Sequence, residues 1–133
     1  STNQIQIGRG ILSNKNIFIT GNTDLLILSI LKKDDAYAYD IVKQISALSG
    51  GMLNLSNNTV YTAIYKLENN GYVSEYSRQA GRKRTRVYYH LEEKGTVYLD
   101  ELFENYLNTM RGTNLVLRRL YQTGEDIENE YDL

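Results

Sequence analysis

Five cations crowd into nine residues near the middle of the chain: Arg78, Arg82, Lys83, Arg84 and Arg86. Guanidinium and ammonium groups at this density suit phosphates, which they attract without regard to sequence. Just upstream stands a second group: Ser56, Asn57, Asn58, Thr59, Tyr61, Thr62, Tyr65 and Lys66. Asparagine amides can pair with adenine edges, and Lys66 can reach guanine or phosphate. The hydroxyls of Thr62 and the tyrosines can bond phosphate or base edges. The same side chains also suit an ordinary solvated face, and composition alone leaves both readings open.

The distribution of charge favours a polyanion. The formal net charge of the 133 residues is only -1. Residues 56–91, however, carry six bases and two acids, while residues 92–133 carry four bases and ten acids. A basic centre beside an acidic C-terminal third points to a negatively charged partner for the centre.

Other chemistries lack their residues. There is no cysteine, which excludes disulfides, thiolate metal sites and cysteine nucleophiles. A histidine-based metal site or a Ser-His-Asp triad would rest on His90 alone. His90 reads as a half-exposed strand residue, with a pH switch or phosphate contact as the alternative. Adjacent Asp34 and Asp35 read as the start of a helix, where acids complement the dipole, rather than as an acid–base pair. No phosphate-binding glycine loop, dinucleotide fingerprint or zinc-protease motif is present. An enzyme is not expected, nor is any metal or cofactor. No apolar run approaches the ~20 residues of a membrane span, and no signal peptide is evident, so a cytoplasmic protein is expected.

Periodicity supplies the elements that would position these groups. Leu25 to Leu31 is strongly apolar and follows Asn22-Thr23-Asp24, which predicts a first helix with an N-cap there, ending near Lys32–Lys33. Tyr37, Ile41, Ile45 and Leu48 recur at helical spacing and predict a second, stopped by Gly50-Gly51. Val60, Ala63, Ile64 and Leu67 form the apolar stripe of a third, with Ser56 as N-cap and Gly71 as its stop. The polar group above occupies its other face. Two strand-like runs follow, Gly71–Tyr76 and Arg86–Leu91. The second places Val87, Tyr89 and Leu91 on one face and Arg86, Tyr88 and His90 on the other. The connection 77–85 holds a turn signal and the Arg82-Lys83-Arg84 run, giving a hairpin with a cationic tip. Leu99, Leu102, Phe103, Tyr106, Leu107 and Met110 predict a long last helix, extended by Leu115, Leu117 and Leu120, with Gly112 able to kink or interrupt it. The first 19 residues scatter six Ile and Leu around two glycines, compatible with a short strand at 17–20 or a helical arm. Residues 124–133 hold five acids and no base and read as a mobile tail.

Three helices followed by a hairpin make a winged helix-turn-helix, an α+β and mainly α fold with a two-stranded wing. In that fold the third helix enters the major groove and the hairpin lies beside it. The organisation expected is an N-terminal arm (1–19), a DNA-binding domain (20–91), a C-terminal dimerisation helix (92–122) and an acidic tail (123–133). The stripe from Leu99 to Met110 is too wide and apolar to be left in water, which argues for a homodimer.

The stretch from Leu25 to Tyr121 also resembles the PadR family of bacterial transcriptional regulators. The matching pieces are Leu26–Leu31, Tyr37–Ile41, Leu55-Ser56 leading into Thr59-Val60-Tyr61, Lys66-Leu67-Glu68 with Gly71, and Arg86–Leu91 followed by Glu93-Lys94-Gly95. Ala38 stands where the family commonly has Gly, Thr62 where it has Pro, Glu92 where it has a capping Thr, and His90 where a basic residue is common. The resemblance implies a two-fold dimer held by the C-terminal helix, a palindromic operator, and repression relieved by a small aromatic or hydrophobic effector. Some members stack planar ligands on a Trp in the dimer helix. This chain has no Trp; Tyr98, Phe103 and Tyr106 have the spacing to substitute, although such spacing more often marks a core. Two alternatives keep the fold: a winged helix that coats DNA in segregation, and one that binds only protein.

Overall fold

The structure, a computed structural model, describes residues 22–121. The expectations for the N-terminal arm and the acidic tail lie outside them. The first described element, α1, spans residues 22–33. It turns Leu25, Ile27, Leu28 and Leu31 into the core, as its apolar run requires. Asn22, Thr23 and Asp24 are already helical rather than capping it; Thr23 is itself buried. The polar trio marked a boundary in the sequence only because Ser, Thr, Asn and Asp favour caps on average, and tertiary packing overrides that preference.

Asp34 and Asp35 do not begin the next helix. They lead into a two-residue strand, β1 (Ala36–Tyr37), and α2 (Ala38–Leu48) starts directly after it. Tyr37, expected on the helix, is its N-cap in extended conformation and offers no side-chain capping bond. Asp40 in the first turn complements the dipole instead. At the other end the chain reverses through Gly50 and Gly51, both with positive φ, and the Gly51 N–H bonds the Ser46 carbonyl at 2.8 Å.

Helix α3 (Asn57–Asn69) follows its local sequence closely. The Ser56 hydroxyl accepts the Thr59 N–H at 3.0 Å. Val60, Ala63, Ile64 and Leu67 are its buried residues. Gly71, at φ +77°, turns the chain toward the sheet. Strands β2 (Val73–Gln79) and β3 (Thr85–Leu91) form an antiparallel hairpin longer than the strand runs suggested. β1 adds to the far side of β3, so the sheet has three strands in the order β1-β3-β2.

Helix α4 (Glu93–Tyr121) is continuous for 29 residues, about 43 Å. Gly112 does not interrupt it, because one helical glycine costs only about 1 kcal/mol. The chain divides into two compact units between Tyr98 and Leu99. The first holds the three helices, the sheet and the first turns of α4. Its core is assembled from Ile27, Leu28, Ile41, Val60, Ile64 and Leu67, all nearly inaccessible. Among the described residues, the second unit is the remainder of α4. No helix among the described residues is long and apolar enough to cross a membrane.

Candidate nucleic-acid interface

The Ser56 cap and the apolar stripe rotate α3 so that its other side is free. Asn57, Asn58, Tyr61, Thr62, Tyr65 and Lys66 are all exposed; Thr59 is half-buried, and its hydroxyl accepts a hydrogen bond from Ser56 at 2.9 Å. Thr59 is therefore engaged at the cap. Lys66 also acts on Asp24 of α1. Burial pushes the Asp24 carboxyl above its ordinary range, against a hydrogen bond from Tyr98 and the field of Lys66.

The wing beside α3 divides its cations between two settings. Arg82, Lys83 and Arg84 are exposed at the hairpin tip. The tip is closed by a bond from the Ala80 N–H to the Arg84 carbonyl at 2.8 Å. The Gln79 amide donates to the Gly81 and Arg82 carbonyls at 3.2 and 3.1 Å, and Gly81 supplies the positive φ.

Arg78 and Arg86 stand lower on the hairpin, directly opposite one another in the ladder. Paired residues share a face of the sheet, so Arg78, Arg86, Tyr37, Tyr76, Tyr88 and His90 lie together on the outer face. The Arg86 guanidinium sits 4.3 Å from the Tyr37 ring and that of Arg78 4.7 Å from Tyr88. Both are held over aromatic faces, which restricts a side chain that otherwise roams. The stacking of Arg86 on Tyr37 needs β1, which the sequence pattern did not reveal.

His90 is tied rather than idle. Its Nδ1 lies 2.8 Å from Asp35 Oδ1, and the Tyr76 hydroxyl donates to Asp35 Oδ2 at 2.7 Å. The Asp35 hydrogen bond raises the His90 pKa above its usual value, outweighing partial burial. For Asp35, burial pushes up, but the bonds from Tyr76 and His90 win and hold the carboxyl low. The pair clips the β1 end to the hairpin.

The inner face of the sheet turns Val73, Ala36 and Tyr89 toward the core, and α3 packs on β2. Glu68 of α3 and Glu75 of β2 meet there. Burial and then the neighbouring Glu75 carboxyl, with which it shares a hydrogen bond, hold Glu68 above the usual carboxylate range. In the sequence these two acids register only as charge.

Of the residues expected at a dimer contact, Leu99 is already buried in the single chain. Leu102, Tyr106, Leu107 and Met110 are half-buried and Phe103 is exposed. Beyond them Leu115, Val116, Leu117 and Leu120 are also exposed.

A helix, a short strand, two further helices and a hairpin in this order, with a capped polar helix beside a cationic wing, define a winged helix-turn-helix protein. The chain belongs to the Transcriptional regulator PadR-like family, whose model matches residues 27–101. It is 31% identical to a transcriptional regulator from Clostridium thermocellum of known structure, with a TM-score of 0.69 covering 73% of this chain and 94% of that one. A PadR family transcription regulator from hypervirulent Clostridium difficile is 28% identical, with a TM-score of 0.63 covering 72% of this chain and 98% of that one. The Escherichia coli transcriptional regulator YqjI is 29% identical over 94 residues, 71% of this chain but 44% of its own length. The chain thus spans under half of that relative. Members of the family regulate transcription through DNA and are not enzymes.

Proposed function

We propose that this protein is a sequence-specific DNA-binding repressor acting as a homodimer on a palindromic operator. The observation that carries the reading is the exposed side of α3. From Asn57 to Lys66 it presents amides, hydroxyls and one ammonium, with no acid among them, beside a hairpin bearing five cations. In this reading Asn57, Asn58, Tyr61, Thr62, Tyr65 and Lys66 meet base edges and nearby phosphates, and Ser56 and Thr59 fix the helix start. Arg78, Arg82, Lys83, Arg84 and Arg86 meet the phosphate backbone. Residues 20–91 are the DNA-binding domain, and 92–122 the dimerisation helix.

The dimer reading is supported by the apolar residues that α4 leaves uncovered, Phe103, Val116 and Leu120 among them. Leu99, Leu102, Phe103, Tyr106, Leu107 and Met110 make the seam. Two copies so joined set their α3 helices one DNA turn, ~34 Å, apart. Relief by a small effector and a place in the cytoplasm complete the proposal.

Selection of bound duplexes from a random pool, followed by footprinting, tests it. A single short palindrome protected by a dimer is the expected result. A footprint spreading with protein concentration would mean coating instead of operator recognition. Binding with no salt dependence, or none at all, would refute the reading.

A further inference from the structure

The meeting of α3 with the inner face of the sheet leaves a groove of about 390 Å3, lined by Tyr61, Tyr65 and Tyr89, by Thr62 and Ile64, and by Glu68 and Glu75. It is built from α3, β2 and β3. Its volume falls within the range of small-ligand sites.

Two features of the groove are incomplete in the protein alone. Tyr89 is only 6% exposed, yet its hydroxyl makes no hydrogen bond among the described residues. A buried hydroxyl without a partner is costly, and Tyr89 is one of the residues that line the groove. Glu68 and Glu75, in hydrogen-bond reach of one another, have no cationic partner among the described residues. Each carboxyl disfavours charge on the other, and a cation placed between them relieves that repulsion.

The walls narrow the kind of counter-charge. Tyrosine faces carry negative potential and attract cations that shed water readily. Ammonium groups bearing alkyl or aryl substituents meet both aromatic rings and carboxylates. A hard metal ion wants six or more oxygens, and no cluster of three or more metal-binding side chains occurs among the described residues.

We propose that the groove between α3 and the wing binds a small organic ammonium ion, caged by Tyr61, Tyr65 and Tyr89 and neutralised by Glu68 and Glu75, and that this ion excludes DNA. The exclusion, unlike the binding, rests on the reading of α3 as the DNA-facing helix. The bound cation occupies the rings of Tyr61 and Tyr65, which that reading gives to DNA. By linkage, DNA and the cation must weaken each other equally.

Choline serves as the probe, with 3,3-dimethylbutan-1-ol as its uncharged isostere, on the full chain. Tyrosine-ring NMR should show saturable shifts of Tyr61, Tyr65 and Tyr89 with choline, and at least about tenfold weaker binding of the alcohol. The E68Q/E75Q double variant should lose about tenfold or more in choline affinity while still binding DNA. Tyr65→Ala, at an exposed position that leaves the core intact, should weaken choline as well. Choline should also weaken DNA binding beyond equimolar sodium chloride, and only with the acids present. Shifts that fail to saturate, equal binding of the alcohol, or indifference to E68Q/E75Q would overturn the site. Choline binding with no effect on DNA would overturn the exclusion. A chain that binds choline but no duplex would refute the DNA reading and leave the cation site standing.

Discussion

Glycine 95 offers a sharp test of how the first unit is closed. It lies in the first turn of α4, and a Cβ built on it would stand 2.1 Å from the Tyr72 carbonyl oxygen and 2.7 Å from Leu91 Cδ1. The first distance is about 1 Å or more short of ordinary contact, and the obstacle is backbone, which cannot rotate away. The approach is fixed by the Glu92 N–H bonding that same carbonyl at 2.9 Å. The Tyr72 and Tyr98 rings are stacked at 4.3 Å alongside. Gly95→Ala must therefore lift the helix start. The backbone bond is worth about 1 kcal/mol, and overpacking of this kind costs about 1–3 kcal/mol. The better helix propensity of alanine returns about 1 kcal/mol. The expected net loss is about 2 kcal/mol, or roughly 6–10 °C in Tm for a chain of this size. Gly112 is the internal control. It is also helical, but a Cβ there meets nothing within 4 Å, so Gly112→Ala should stabilise by up to about 1 kcal/mol. Thermal and urea unfolding of the two variants should move in opposite directions. A Gly95→Ala protein as stable as the parent would show that α4 does not press on Tyr72 as described.

Replacing Arg82, Lys83 and Arg84 together with alanine should weaken binding to all duplexes about equally and flatten the log affinity–log salt line, by ~0.9 for each phosphate no longer neutralised; fluorescence anisotropy across a salt series measures it. Tyr89 should titrate late, since burial first, then Glu75, Tyr61 and Glu68, push its phenol up to about 12. The unfolded chain releases this proton near pH 10, so stability should be fully present below that pH and fall as pH rises toward 12, a loss that Tyr89→Phe removes. Asp35→Asn should bring the raised His90 pKa back toward its ordinary value in an NMR titration. In the parent, any stability from the raised His90 is fully present below the ordinary histidine pKa and lost as pH rises through the folded value. A His90 pKa unmoved by Asp35→Asn would refute the pairing.

Much of the fold was legible because it is local. The stripe Val60, Ala63, Ile64 and Leu67, the Ser56 cap and the turn at Gly71 all act within a few residues of one another, so periodicity and capping rules suffice to place α3 and free its polar side. The hairpin could be read for the same reason, from alternation on either side of a turn. β1 could not. Two residues hold no period, and Ala36–Tyr37 is a strand only because β3, some fifty residues on, lies beside it. Long-range contact likewise converted Asp34 and Asp35 from an expected helix start into a lead-in to that strand. It gave His90 a partner, set Arg78 and Arg86 over Tyr88 and Tyr37, and brought Glu68 face to face with Glu75. Sequence alone thus determined the helices and the hairpin and which sides of them are polar, since those follow from backbone geometry and the spacing of apolar residues. Which charges meet which rings was decided by tertiary structure, because cross-strand register and helix–sheet packing join side chains that no local pattern connects.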